Sequence, residues 1–149
     1  MERDDLAALA ASLFAEGRTL RLLARGRSMA PFIRDGETVL VGPPAREPRP
    51  GEVVLRRGPG GALLLHRVVR TTAAGVITRG DAAAAEDPPA PLQDVLGRAV
   101  AVAGRRRLHL RPACGRLVLL GHRLRGGRLA DGPLLRLTRG LRLLAARIP

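Results

Sequence analysis

Short apolar runs interrupted by glycine and proline constrain the fold of this chain more than any other feature. The runs lie at residues 18–24, 38–41, 52–55, 62–70, 75–78 and 95–103. Each run has the length of a β-strand, and the glycine and proline clusters between the runs are turn signals. Short strands with frequent turns are typical of a mainly β domain, which is the fold class that the sequence predicts.

A single short helix is expected before the first strand, over residues 4–16. Its apolar face contains Leu6, Leu9, Ala10 and Leu13. Asp4 or Asp5 can cap the amino-terminal end of this helix, and Gly17 can end it. The helix therefore opens the chain as an amphipathic element that covers part of the β domain.

The length of 149 residues suits one domain with a core of its own. We expect the β domain to occupy residues 1–104, including a loop at 82–94 where two consecutive prolines prevent a helix. The core must be aliphatic, because the only aromatic residues are Phe14 and Phe32.

The charge of the chain comes from arginine. All 26 basic residues are arginine, and the formal net charge is +13. This balance favours anionic partners, such as phospholipid surfaces or nucleic acid. The single cysteine, Cys114, excludes a module built on intramolecular disulfides and is expected to be a small packing residue.

Membrane insertion is not expected from the hydropathy pattern. No stretch reaches about 18 consecutive apolar residues, the length that a transmembrane helix needs. The first residues, Met-Glu-Arg-Asp-Asp, are acidic where a secretory signal would be basic. We therefore expect a cytoplasmic protein without a signal peptide, one that either stays in solution or contacts a membrane peripherally.

The segment 105–149 differs from the rest because it is rich in leucine, arginine and glycine. From residue 133 onward, one helical face contains Leu134, Leu137, Leu141, Leu144 and Ile148, and the arginines lie away from it. This is the pattern of a basic amphipathic helix. Two alternatives stay open: the segment 133–149 contacts an anionic membrane, or it packs back on the β domain.

A series of motifs follows the predicted strands. They are Gly-Arg-Ser-Met-Ala-Pro (26–31), Asp-Gly-Glu-Thr-Val-Leu-Val (35–41), Pro-Gly-Glu-Val-Val-Leu (50–55), His-Arg-Val-Val (66–69), Thr-Arg-Gly-Asp (78–81) and Val-Leu-Gly-Arg-Ala-Val (95–100). In this order and spacing they resemble the signal peptidase I and LexA-like serine peptidases, the S24/S26 type. The resemblance covers residues 18–103 and implies the β fold of that group.

The resemblance implies that Ser28 is a catalytic nucleophile. Members of this group use either a lysine or a histidine as the general base, and this chain contains no lysine. The histidine type places its base where His66 stands and its acidic partner a few residues after a Gly-Asp pair. We therefore assign His66 as the base and Asp87 as the residue that orients its imidazole, with Asp81 as the alternative for that third role.

Further residues of the nucleophile segment are expected to shape the site. Met29 and Pro31 are expected to fix the loop and to wall the substrate pocket. The backbone N–H of Ser28 is expected to hold the oxyanion. Many relatives add a side-chain hydroxyl two residues before the nucleophile, where this chain has Gly26. His109 and His122 match no motif and receive no site role.

The expected function is that of a serine endopeptidase that cleaves a peptide or protein precursor after small residues, with no cofactor or metal. Such enzymes bind their substrate as an added β-strand. One alternative is a catalytically silent module that binds peptides or membranes. Another is a LexA-like regulator, which is disfavoured because about 25 residues before Ser28 leave no room for a helix-turn-helix domain. Nucleic acid is therefore not expected as a partner.

Overall fold

The computed structural model describes residues 3–44, 47–105 and 112–124. Its helices and strands, in chain order, are α1 (Arg3–Ala15), β1 (Leu20–Leu23), β2 (Thr38–Gly42), β3 (Val53–Arg57), β4 (Leu63–Thr72), β5 (Gly75–Arg79), β6 (Val95–Val102) and α2 (Pro112–Leu124). The strands form a six-stranded sheet in the order β1-β2-β6-β3-β4-β5. Every neighbouring pair is antiparallel. The prediction of a mainly β fold is confirmed.

The amino-terminal helix forms where the pattern predicts it, but one part of the predicted face is wrong. Ala10 is buried and Leu13 packs against the core, whereas Leu9 is 42% exposed. The face of α1 that packs on the core is formed by Leu6, Ala10, Leu13 and Phe14. Phe14 widens this face on the side of the helix away from Leu9. Leu9 therefore lies at the margin of the face and remains in contact with solvent.

Gly17 ends α1 by adopting a left-handed backbone conformation, with φ of +69°. Its N–H donates to the carbonyl of Phe14, and the N–H of Arg18 donates to the carbonyl of Leu13. This pair of bonds satisfies carbonyls that the helix end leaves without partners, and glycine accepts the conformation without strain. The chain then turns directly into β1.

Strand β3 lies near the centre of the sheet and is buried on both faces. Val53 and Leu55 face a core cluster that includes residues from α1 and from the segment after β1. Val54 faces a second cluster with Val68 of β4 and Ala90 of the loop before β6. The first cluster holds the segment after β1 against one face of the sheet, and the second cluster holds the loop before β6 against the other face. Both parts of the chain are therefore fixed relative to β4.

The carboxy-terminal part of the chain is described only over α2. Val118 of this helix is buried, whereas Leu117 and Leu120 are about half exposed. Within the described ranges, no helix combines the length and the apolar character needed to cross a bilayer. The predicted amphipathic segment 133–149 lies outside the described residues, as does His109, so the two alternatives for that segment remain predictions.

Candidate active site

Ser28 lies in a tight turn between β1 and β2. The N–H of Ala30 donates to the carbonyl of Arg27 at 3.0 Å and closes the turn. Met29 is buried in the core, and its carbonyl accepts hydrogen bonds from the N–H groups of Phe32 and Ile33. Because the residue after Ser28 is anchored in this way, the exposed serine is held at the surface in one orientation.

His66 lies on β4, opposite Val54 of β3. It is 8% exposed, so its imidazole is almost fully enclosed by the protein. Its Nε2 atom is 3.0 Å from Oγ of Ser28. This distance is within the hydrogen-bonding range that proton transfer from a serine hydroxyl requires.

Asp87 completes a line of three side chains. Its Oδ2 atom is 2.7 Å from Nδ1 of His66 and accepts a 2.6 Å hydrogen bond from the hydroxyl of Thr78. The N–H of Asp87 donates to the carbonyl of Thr78, so β5 fixes both the backbone and the side chain of the aspartate. A carboxylate at Nδ1 assigns the proton to that nitrogen and leaves Nε2 free to accept the proton of Ser28.

The surroundings of Asp87 favour its ionised form. Burial alone would raise the pKa of Asp87, but hydrogen bonds from His66 and Thr78 and the positive charges of His66 and Arg56 lower it by more. The net pKa therefore lies below the usual value for an aspartate. The carboxylate stays charged well into the acid range and can hold the imidazole throughout.

This shift predicts how Asp87 affects stability in acid. A carboxylate with a lowered pKa stabilises the fold above the ordinary aspartate value, about pH 4, and this stabilisation disappears as the pH falls through the folded-state pKa. Asp87→Asn removes the titration. We expect the free energy of unfolding to fall less steeply below about pH 4 in the variant than in the wild type. Chemical denaturation at a series of pH values measures this, and equal slopes would contradict the prediction.

The segment that follows β5 supports the Ser28 turn from the opposite side. The N–H of Ala82 donates to the carbonyl of Ser28 at 2.8 Å. At Gly80, an added Cβ would stand 2.7 Å from the carbonyl oxygen of Ser28 and 3.2 Å from Nε2 of His66. Only glycine fits between the serine and the histidine, so the Gly-Asp motif is needed here for close packing.

Asp81 is not in contact with His66 and instead pairs with Arg67. Both of its oxygens accept hydrogen bonds from the guanidinium, each at 2.7 Å, and both side chains are at most 1% exposed. Arg67 also donates to the carbonyl of Gly51 and lies over the ring of Phe32. Asp81 therefore does not lie where it could orient the imidazole of His66. It forms a buried ion pair with Arg67 instead.

The backbone N–H of Ser28 is available as a donor for an oxyanion. Among the described residues, the N–H of Ser28 has no hydrogen-bond partner. Gly26 has a φ of +84°, and its N–H donates to the carboxylate of Asp35 at 2.7 Å. Glycine at this position allows the left-handed turn but supplies no hydroxyl, so any side-chain contribution must come from elsewhere.

A groove of about 300 Å³ leads to the serine and the histidine. Its lining residues are Leu22, Leu23, Ala24, Arg25, Gly26, Ser28, Met29, Ile33, Leu55, Leu63, Leu64, Leu65 and His66. Met29 lines the groove and Pro31 does not. The role of either residue toward a substrate remains a prediction. The walls are β1 on one side and the first half of β4 on the other, and most of them are leucine.

The sequence did not predict the roles of three residues around the site. Thr78 and Arg67 lie within the motifs 78–81 and 66–69, but the motifs do not indicate that Thr78 binds Asp87 or that Arg67 binds Asp81. Arg56 is a buried arginine on β3 and lies just beyond the predicted run 52–55. Cys114 is half-buried on α2, and the side chain of His122 is outside the described set.

A mainly β fold that aligns a serine, a histidine and an aspartate has the arrangement that serine hydrolases use for nucleophilic catalysis. Residues 2–79, just over half of the 149-residue chain, match the family model described as Peptidase S24-like. The chain therefore belongs to the Peptidase S24-like family. The matched range contains Ser28 and His66 and ends before Asp87. Comparisons with curated proteins and with solved structures found no match.

Proposed function

We propose that the protein is a serine endopeptidase of the histidine-base type, with Ser28 as nucleophile, His66 as general base and Asp87 as the residue that orients the imidazole. The observation that carries this proposal is the unbroken line from Oγ of Ser28 to Nε2 of His66, at 3.0 Å, and from Nδ1 to Asp87, at 2.7 Å. Membership of a peptidase family supports the same reaction class.

The proposed reaction has two steps. His66 takes the proton of Ser28 as Oγ attacks the scissile carbonyl, and the Ser28 N–H donates to the oxyanion. The protonated imidazole then gives its proton to the departing amine, which leaves an ester on Ser28. Water, deprotonated by His66, attacks this ester and releases the acid, and the proton returns to the serine.

The substrate is proposed to bind as an extended segment in the groove. Along Leu63–His66, β4 pairs with β3 only, because the pairing of β5 begins at Arg67. Strand β1 pairs with β2 on one side and lies at the edge of the sheet. An extended peptide can therefore add to an open strand edge, with apolar side chains on the leucine walls and Met29 beneath it. From the resemblance to signal peptidases, we also propose that the substrate has small residues immediately before the scissile bond.

Reaction with a fluorophosphonate probe tests the proposal directly. Covalent labelling of the full-length protein requires a serine that is both exposed and activated. We expect one probe per chain, with the adduct on the peptide that contains Ser28, and cleavage of extended peptides from a mixed-sequence library. A protein that binds these peptides without labelling or cleavage would instead be the catalytically silent module.

The proposed base predicts a pH-dependent rate. Only neutral imidazole can accept the proton of Ser28, so protonation of His66 in acid removes the base. We expect labelling and peptide cleavage to be faster at neutral pH than in acid, where an imidazole base carries a proton. Second-order rate constants for the probe measure this without a known substrate. Equal rate constants at neutral and acid pH would contradict the role of His66.

A further inference from the structure

Arg56 is a buried arginine near the end of β3. It is 1% exposed, and its Nη1 donates to the carbonyl of Pro88 at 3.2 Å. Among the residues that the structure describes, its Nε has no hydrogen-bond partner. A buried positive charge is strongly unfavourable unless an opposite charge balances it. Arg56 therefore needs an anion within its reach.

Asp87 is the anion on which the charge of Arg56 acts. The guanidinium binds the backbone carbonyl of the next residue, Pro88, and its charge lowers the pKa of the Asp87 carboxyl. The other carboxylates around this loop have their own partners: Asp81 pairs with Arg67, and Glu86 pairs with Arg70.

Three neighbouring strands each present one group to the aspartate or its backbone. His66 of β4 and Thr78 of β5 bind the Oδ2 atom of Asp87, and Arg56 of β3 binds the carbonyl that follows it. On the same loop, Glu86 is turned toward Arg70. Arg79 acts on Glu86 and Asp81 rather than on Asp87. The fixed φ of Pro88 adds further restraint to the backbone at the point that Arg56 holds.

We propose that Arg56 is a positioning residue for Asp87: its guanidinium anchors the backbone next to the aspartate, and its buried charge is balanced by the Asp87 carboxylate. The catalytic consequence rests on the proposed function, because Asp87 matters for activity only as the partner of His66. The physical coupling between Arg56 and Asp87 exists independently of catalysis. It can therefore be measured separately.

The first test is the titration of Asp87 in full-length protein, followed by NMR of its carboxyl carbon. Arg56→Met keeps much of the side-chain volume and removes one of the charges that lower the pKa of Asp87, so that pKa should rise. Arg56→Lys keeps the charge and should leave that pKa within a few tenths of a unit of the wild type. An unchanged pKa of Asp87 in folded R56M would overturn the proposal, since a residue that only fills space would give that result.

The second test is a double-mutant cycle on stability, measured by chemical denaturation. The effects of Arg56→Met and Asp87→Asn on the unfolding equilibrium constant should differ from additivity by about tenfold, because the loss of either charge changes the electrostatic surroundings of the other. Glu86→Gln is the matched control, since Glu86 precedes Asp87 but pairs elsewhere, and it should combine with R56M additively to within about twofold. Additivity between positions 56 and 87 would also overturn the proposal.

If R56M does not fold, Arg56→Gln takes its place in the titration, because glutamine keeps a hydrogen-bond donor and removes the charge. The pKa of Asp87 should rise in folded R56Q as well, and an unchanged pKa there would overturn the proposal. For activity, we expect R56M to lower kcat about tenfold with little change in KM and R56K to restore most of it. Absence of peptidase activity in the wild type would refute the proposed function, while the titration and the cycle would still decide the role of Arg56.

Discussion

Ser28→Ala should abolish reaction with the fluorophosphonate probe and reduce peptide cleavage by at least about 10³-fold. Removal of the hydroxyl removes the covalent route entirely, so the remaining rate depends only on water attack at a bound substrate. Ser28 is exposed and its side chain contributes no core packing. The free energy of unfolding should therefore change by less than about 1 kcal/mol, as for other surface substitutions.

The chain offers a matched control for this experiment, because it contains two serines, Ser12 and Ser28. Ser12 is exposed on α1. Ser12→Ala should leave both labelling and cleavage at the wild-type level. Labelling retained in S28A, or lost in S12A, would place the reactive hydroxyl at the wrong serine and remove the basis of the proposed mechanism. Normal melting of S28A confirms that lost labelling is not lost folding.

The strand positions could be predicted from the sequence because they depend on local information. Turn residues lie on both sides of each apolar run, and each of the six predicted runs overlaps one strand. The motif order also predicted which serine, histidine and aspartate to consider together, and the structure brings Ser28, His66 and Asp87 into one line. Their catalytic roles remain predictions that the experiments above test.

The side-chain partners could not be predicted because they depend on how distant strands pair. Asp87 is held on β5 by Thr78 and reaches His66 of β4 because these two strands pair, and the register of that pair shifts between Val68 and Arg70. A shift of one residue reverses which side chains share a face of the sheet. Alternation along the sequence does not reveal such a shift. For the same reason, the choice between Asp81 and Asp87 required the three-dimensional structure.

The burial of Arg56 is a second feature that the hydrophobic pattern of the sequence does not predict. This residue follows directly after the apolar run 52–55 and is almost fully buried, although arginine is rarely buried unless it has a partner. Its presence becomes understandable only when the loop with Asp87 and Pro88 is placed over the same face. Polar residues in cores are informative because they require a partner, and that partner lies 32 residues away along the chain in this case.

The largest effect on stability is expected from Asp81→Asn. The amide keeps the shape of the carboxylate but removes the negative charge that pairs with the buried guanidinium of Arg67. Breaking one partner of a buried, doubly hydrogen-bonded ion pair costs about 3–5 kcal/mol. Because small domains unfold with about 5–15 kcal/mol in total, this change should lower the stability severely. Chemical denaturation of the full chain measures the loss.

The exposed pair of Arg70 and Glu86 provides the control for this prediction. Their side chains are 50% and 34% exposed, and they lie on the same strand and loop as the buried pair. Glu86→Gln should cost no more than about 1 kcal/mol, since water screens and replaces the interaction. If Asp81 instead served beside the imidazole, D81N would lose activity while keeping nearly full stability. A small stability loss together with lost cleavage would therefore reverse the assignment of Asp81 and Asp87, whereas a large stability loss with residual labelling of the folded fraction would support it.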